Sequence, residues 1–216
     1  ALERDSLLLA YGDAQAVTTS VELLLWRPAV RPSGMRARAR FVLPDGMRAS
    51  VPWPKTASDS DTYEIPASAF AFTGHAAFGH LDADELEHPR TRATLITLPG
   101  FAPDTRATLV DWFSSALDVV TISTGRFPVP HVQLVVVPTA ASAWPIHFGH
   151  TGRGGGASIL VFLPSDLRRD DLQRDWIAIH ELSHLYLPFI QREDAWLSEG
   201  IATYLQEVLR ARAGLM

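Results

Sequence analysis

His180-Glu181-Leu182-Ser183-His184, with Glu199 of Leu197-Ser198-Glu199-Gly200 beyond the intervening residues 185–198, is the stretch around which the rest of the chain can be read. Residues four apart on a helix share one face, with Cβ atoms roughly 5–6 Å apart. His180 and His184 can therefore both direct an imidazole nitrogen at one metal ion, at about 2.0–2.1 Å. Glu181 is rotated about 100° around the helix axis from His180. It is off the ligand face but within reach of a water at the metal, the position of a general base. The carrier reads as a helix from Asp171 to Leu187. Its apolar residues Leu172, Trp176, Ile177, Ile179, Leu182, Leu185 and Leu187 recur at spacings nearer three and four than two. Asp170 or Asp171 can cap its start. Pro188 ends it, because the residue before a proline avoids the helical region.

Two histidines leave such a site one protein ligand short. Gln191-Arg192-Glu193-Asp194 is a polar turn, and Asp194 can cap a second helix from Ala195 to Arg212. Glu199 lies about one turn into it and can point back across an antiparallel pair of helices. Glu193 and Asp194 are rival ligands placed in the turn itself. Gly200 costs about 1 kcal/mol in a helix interior relative to Ala, and close helix approach beside the metal is a reason to keep it.

His180-Glu181-x-x-His184 with Trp196-Leu197-Ser198-Glu199-Gly200-Ile201-Ala202-Thr203-Tyr204 resembles the gluzincin metallopeptidases, and most of all the membrane-alanyl and glycyl aminopeptidase families. The resemblance covers about residues 172–206. It implies one zinc ion per chain held by His180, His184 and Glu199, with Glu181 as general base of a metal-activated water that hydrolyses a peptide bond. Thr203, four residues after Glu199, becomes a candidate to orient a ligand from behind. Zinc suits a His₂Glu donor set, although affinity order alone does not exclude cobalt, nickel or copper. The segment 185–198 is shorter than the family's. These families also place an oxyanion-stabilising Tyr or His well downstream of the second helix, and no such position occurs before Met216. Tyr186 and Tyr204 stand close to the metal helices, and Tyr204 is the candidate oxyanion donor.

Upstream, His131–Val137 and Ala157–Leu163 read as strands, being short, apolar and rich in β-branched residues. Between them, Gly152, Gly154 and Ala157 fit a dinucleotide-type glycine string. That string leads into a strand and not a helix, which excludes the dinucleotide reading. The resemblance instead implies a substrate-binding sheet edge here, with Gly154, Gly155, Gly156 and Ala157 letting a peptide approach closely. The related aminopeptidases carry a glutamate in this stretch that grips the free amine of the substrate. No acidic residue occurs between His131 and Ser165, which leaves aminopeptidase-like trimming open. Arg153 reads as a solvated loop side chain. His147 and His150 are a weaker second pair of metal-ligand candidates.

The remainder sets limits. A net charge of −5 argues against nucleic acid as a partner. No apolar run approaches the 18 or so residues a membrane span needs. The absence of cysteine excludes thiolate ligands and leaves the compartment open. Before residue 100 the chain is strand-like over Val17–Trp26, Met35–Leu43, Met47–Trp53, Thr62–Ile65 and Arg92–Leu98, with turns at Pro32-Ser33-Gly34 and Pro44-Asp45-Gly46. Arg36, Arg38 and Arg40 alternate along one strand and read as a solvated face. A helix begins after Asp104, with Leu109, Trp112, Phe113, Ala116, Leu117 and Val120 on its period.

The expected fold is α+β. A β-rich domain over 1–100, an antiparallel sheet or sandwich, precedes a gluzincin-like (thermolysin-like) catalytic domain over 101–216, with a small sheet and zinc-binding helices. The expected function is a zinc metallopeptidase acting on a peptide or protein substrate. The alternative is a non-catalytic or truncated peptide-binding module of peptidase descent. A metal-dependent hydrolase of another amide or ester is a nearer competitor, because HExxH does not define the scissile bond.

Overall fold

A computed structural model describes residues 10–26, 29, 30, 32, 34–57, 61–89, 91–140, 148–173 and 175–216. Its centre is a five-stranded sheet. Val132 to Val137 alternate between two apolar layers: Val132, Leu134 and Val136 face one, Val135 and Val137 the other. A strand apolar on both faces must be covered on both. This strand, β9 (His131–Thr139), is flanked in parallel by β8 (Thr91–Thr97) and β11 (Ala157–Pro164). β7 (Asp82–His88) and β10 (Phe148–Gly152) close the two edges antiparallel, in the order β10-β11-β9-β8-β7.

On one face lies α2 (Thr105–Thr121), whose Leu109, Phe113, Ala116, Leu117 and Val120 pack with Leu134, Val136 and Ile159. The helices α3 (Arg169–Gln173), α4 (Ile177–Ser183) and α5 (Ala195–Arg212) join the same layer through Leu172, Leu182 and Leu209. The opposite face meets a four-stranded antiparallel sheet of β1 (Ala10–Gly12), β2 (Ala16–Ser20), β6 (His75–Gly79) and β4 (Arg48–Ser50), with Ala16 and Ala77 against Leu160 and Phe162. A ribbon of β3 (Arg36–Arg40) and β5 (Thr62–Pro66) completes the outer layer around Trp53, Tyr63 and Ile65, beside the short helix α1 (Val21–Leu24).

The segment read as one strand over Val17–Trp26 is β2 followed by α1. The arginines of β3 alternate outward as expected, and Arg36 pairs with Glu64 at 2.6 Å. The division expected at residue 100 runs through a sheet: β7 and β8 precede it, yet β8 pairs with β9 beyond it. Asp82–His88 carries four acidic residues and little apolar alternation, so its strand character was not legible locally.

The helix expected over Asp171–Leu187 is interrupted. α3 and α4 are separate, and α4 passes into a 3₁₀ turn at His184–Tyr186. The cause is Asp175, whose Oδ1 accepts the backbone N–H of Ile177 at 2.6 Å and so starts a new helix. The second helix spans Ala195–Arg212 as expected, although the Asp194 side chain makes no capping bond. Among the described residues, no helix is long and apolar enough to cross a membrane.

Candidate metal centre

α4 is buried along its length, so His180 and Glu181 are only 8% and 6% exposed. One ligand atom each from His180, His184 and Glu199 lies within 4.8 Å of the others. Glu199 Oε2 is 3.2 Å from His180 Nε2, and Glu199 Oε1 is 3.7 Å from His184 Nε2. Two ligands at about 2.05 Å from a tetrahedral metal are separated by roughly 3.3 Å, so the spacing fits a shared ion. Glu193 and Asp194 lie in the 3₁₀ turn before α5 and are not part of this group.

The rear nitrogens of both imidazoles are held. His180 Nδ1 lies 3.0 Å from Gln206 Oε1, and His184 Nδ1 lies 3.1 Å from Ser198 Oγ. The Gln206 amide NH₂ donates to Glu207, which turns its oxygen toward His180. Gln206 Oε1 can only accept, so it holds a proton on His180 Nδ1 and turns Nε2 toward Glu199, the orientation a metal ligand needs. Burial pushes the His184 imidazole down to about 4, against the pull of Glu199, so it is neutral.

Glu181 sits under the edge strand. Thr151 Oγ1 is within hydrogen-bond distance of its carbonyl oxygen (2.7 Å) and of its Oε2 (2.8 Å). Burial pushes the carboxyl up to about 7, opposed by Thr151 and assisted by Glu199. A carboxyl poised near neutrality suits proton transfer in both directions. Gly149 makes the approach feasible, because a Cβ there would lie 2.8 Å from Glu181 Cγ.

These groups line a cleft of about 730 Å³ between β10 and α4–α5, shared by Phe148, His150, Arg153, Phe189 and Thr203. Thr203 lines the cleft, but the bonds to the ring nitrogens come from Ser198 and Gln206. Arg153 is not a solvated loop residue: it is half-buried, and its guanidinium donates to the His184 carbonyl. Tyr204 is 66% exposed and lies outside the cleft lining. Tyr186 is tied by its hydroxyl to the Val120 carbonyl at 2.8 Å. Gly200 has open space around it, so close helix approach does not explain it.

The glycine loop lies elsewhere. A Cβ on Gly156 would fall 1.8 Å from the Pro52 carbonyl oxygen, and Trp53 Nε1 donates to the Gly154 carbonyl at 2.8 Å. Gly154–Gly156 therefore dock the outer β layer. Gly155, Gly156 and Ala157 border a separate cavity of about 1040 Å³ near Gln133. The strand at the cleft is Phe148–Gly152, which the sequence reading passed over. Gln206 was within reach of that reading, since Glu199, Thr203 and Gln206 are spaced four and three apart on one helix face. His147, the other half of the weaker histidine pair, lies outside the described residues.

No protein-family model matches the sequence, and no curated protein matches it. Among solved structures, the chain is similar to an aminopeptidase N family protein from Idiomarina loihiensis, with a TM-score of 0.69 and 14% identity. That match covers 96% of this chain and 39% of the other. An M1 zinc metallopeptidase from Deinococcus radiodurans matches with a TM-score of 0.49 and 19% identity, over 83% of this chain and 40% of its own. The mixed α/β architecture thus resembles part of an aminopeptidase N family protein, and the chain spans well under half the length of these neighbours.

Proposed function

We propose that this chain carries the metal centre of a zinc-dependent peptidase, with zinc held by His180, His184 and Glu199. The observation that carries the reading is the convergence of two Nε2 atoms and one carboxylate, the imidazoles steered from behind by Gln206 and Ser198. When bound, zinc supplies a Lewis acid that polarises a carbonyl and lowers the pKa of a water. Glu181 accepts a proton at its carboxylate and returns it to the leaving nitrogen. Thr151 holds that carboxylate in place.

A peptide substrate is supported by two things. One is the likeness in fold to an aminopeptidase N family protein. The other is the position of β10: it ends the sheet on the cleft side and has no second strand partner among the described residues. An extended peptide adds to such an edge through backbone hydrogen bonds.

Metal content and turnover of a mixed peptide library, measured for wild type and Glu181→Gln, test the reading. The expected outcome is one zinc per chain in both proteins, with cleavage lower in the variant by about a hundred- to ten-thousand-fold. Zinc with no cleavage in either would leave a peptide-binding module, and no zinc would overturn the ligand assignment.

A further inference from the structure

Beside the cleft stand two histidines with no part in the reading above. His75, on β6, is fully buried, and its Nε2 lies 3.0 Å from Nδ1 of His150, on β10. The rings meet edge to face at 83°, with centroids 5.1 Å apart. His75 does not line the cleft and His150 does. The ring nitrogen that His150 turns to His75 thus faces inward, which leaves Nε2 for the cleft.

Two facing imidazole nitrogens share one proton, and the surroundings decide which ring supplies it. His75 Nδ1 is buried with no partner among the described residues. Were His150 the donor, neutral His75 would carry its proton on Nδ1, as a buried N–H with no acceptor among the described residues. Such an orphan forfeits the hydrogen bond it makes to water when unfolded, and orphaned N–H groups are rarer than under-satisfied acceptors. His75 therefore donates from Nε2, His150 Nδ1 accepts, and the His150 proton sits on Nε2. Burial pushes His75 down to about 3 and lowers His150 too, so the pair is neutral near pH 7. The charges that act on His150 are Glu199 and Glu22, and the Glu22 carboxylate accepts a bond from Thr73 at 3.0 Å.

We propose that His150 is the edge strand's substrate-recognition residue, donating Nε2–H to a carbonyl oxygen of the bound peptide, and that His75 is the positioning residue that fixes its tautomer. The chemical class follows from the direction of the bond. An acylated residue, whether internal to a chain or at a blocked amino terminus, offers the acceptor this donor needs. A free ammonium offers only further donors. The substrate half of this inference rests on the peptidase reading; the tautomer half does not.

Two measurements separate the halves. Two-bond ¹⁵N–¹H correlation spectra of the histidine-labelled full chain near pH 7, assigned with His150→Phe, read the tautomers directly. Nε2–H forms of His75 and His150 are expected, and an Nδ1–H or doubly protonated His150 would overturn the proposal. The zinc-loaded protein is then given one peptide in free-amine and N-acetylated forms. The acetylated form is expected to be favoured in kcat/KM by about tenfold, the scale of one hydrogen bond. His150→Phe should abolish the preference and His150→Gln should retain part of it. A preference for the free amine, or one that survives in His150→Phe, refutes the assignment. Cleavage of neither peptide by wild type would refute the peptidase reading and remove the substrate half, while the spectra still decide the tautomer.

Discussion

Ser198 and Gln206 touch the rear nitrogens of His184 and His180, and neither is a metal ligand in the proposed centre. Their effect is on the imidazoles: they set ring orientation and, for Gln206, the tautomer. Groups in this position change metal affinity by about 10–100-fold when removed. Gln206→Leu and Ser198→Ala are each expected to weaken zinc binding by that order in a competitive chelator titration. Gln206→Glu should restore the acceptor. Unchanged affinity in Gln206→Leu would mean that the contact with His180 does not hold the ring. The same scale shows why the proposed role of Glu181 as a base is legible only in part. HExxH spacing places the carboxylate beside the ligands, but its rise toward neutrality comes from burial under Gly149 and Thr151, residues of a strand far along the chain.

At the scale of elements, Asp175 starts α4, the helix that carries His180 and Glu181. Burial pushes that carboxyl up to about 6, opposed by the Ile177 N–H it accepts and by Arg210. A folded pKa above the unfolded value of 3.8 means the native state binds the proton more tightly. Stability from this group is complete below about pH 4 and is lost as pH rises through about 6. The loss is on the order of 2–3 kcal/mol. Asp175→Asn keeps an acceptor for Ile177 and cannot ionise. Denaturant unfolding at pH 4, 5.5 and 7 should therefore show the variant gaining on wild type as pH rises. A gap that does not change with pH would contradict the burial argument. The interruption itself lay beyond periodicity, because Leu172, Trp176 and Ile179 keep helical spacing across it.

For the whole molecule, β9 and β11 join two apolar layers, and Phe162 packs on the side of the four-stranded sheet with Leu160, Ala16 and Ala77. The outer layer is also bound by Trp53 to the glycine loop and by the His75 N–H to Ser158 Oγ at 3.1 Å. The described residues are thus expected to unfold as one cooperative unit. Phe162→Ala should cost about 3–5 kcal/mol and shift far-ultraviolet dichroism and tryptophan fluorescence together. If the fluorescence transition separated from the dichroism transition, the layers would be independent domains.

What the sequence determined by itself was local. Helical spacing put His180 and His184 on one face, a polar turn preceded the second helix on which Glu199 lies, and the apolar runs at His131–Val137 and Ala157–Leu163 were strands. Each depends on contacts a few residues apart, where the period of the chain governs. The tertiary structure alone decided which strand lies over Glu181, that the glycine loop serves the outer layer instead of the cleft, that β7 and β8 join the central sheet, and that His75 meets His150. Those pairings join distant residues, and they are set by which buried faces and polar groups can be satisfied together. No spacing along the sequence encodes that choice.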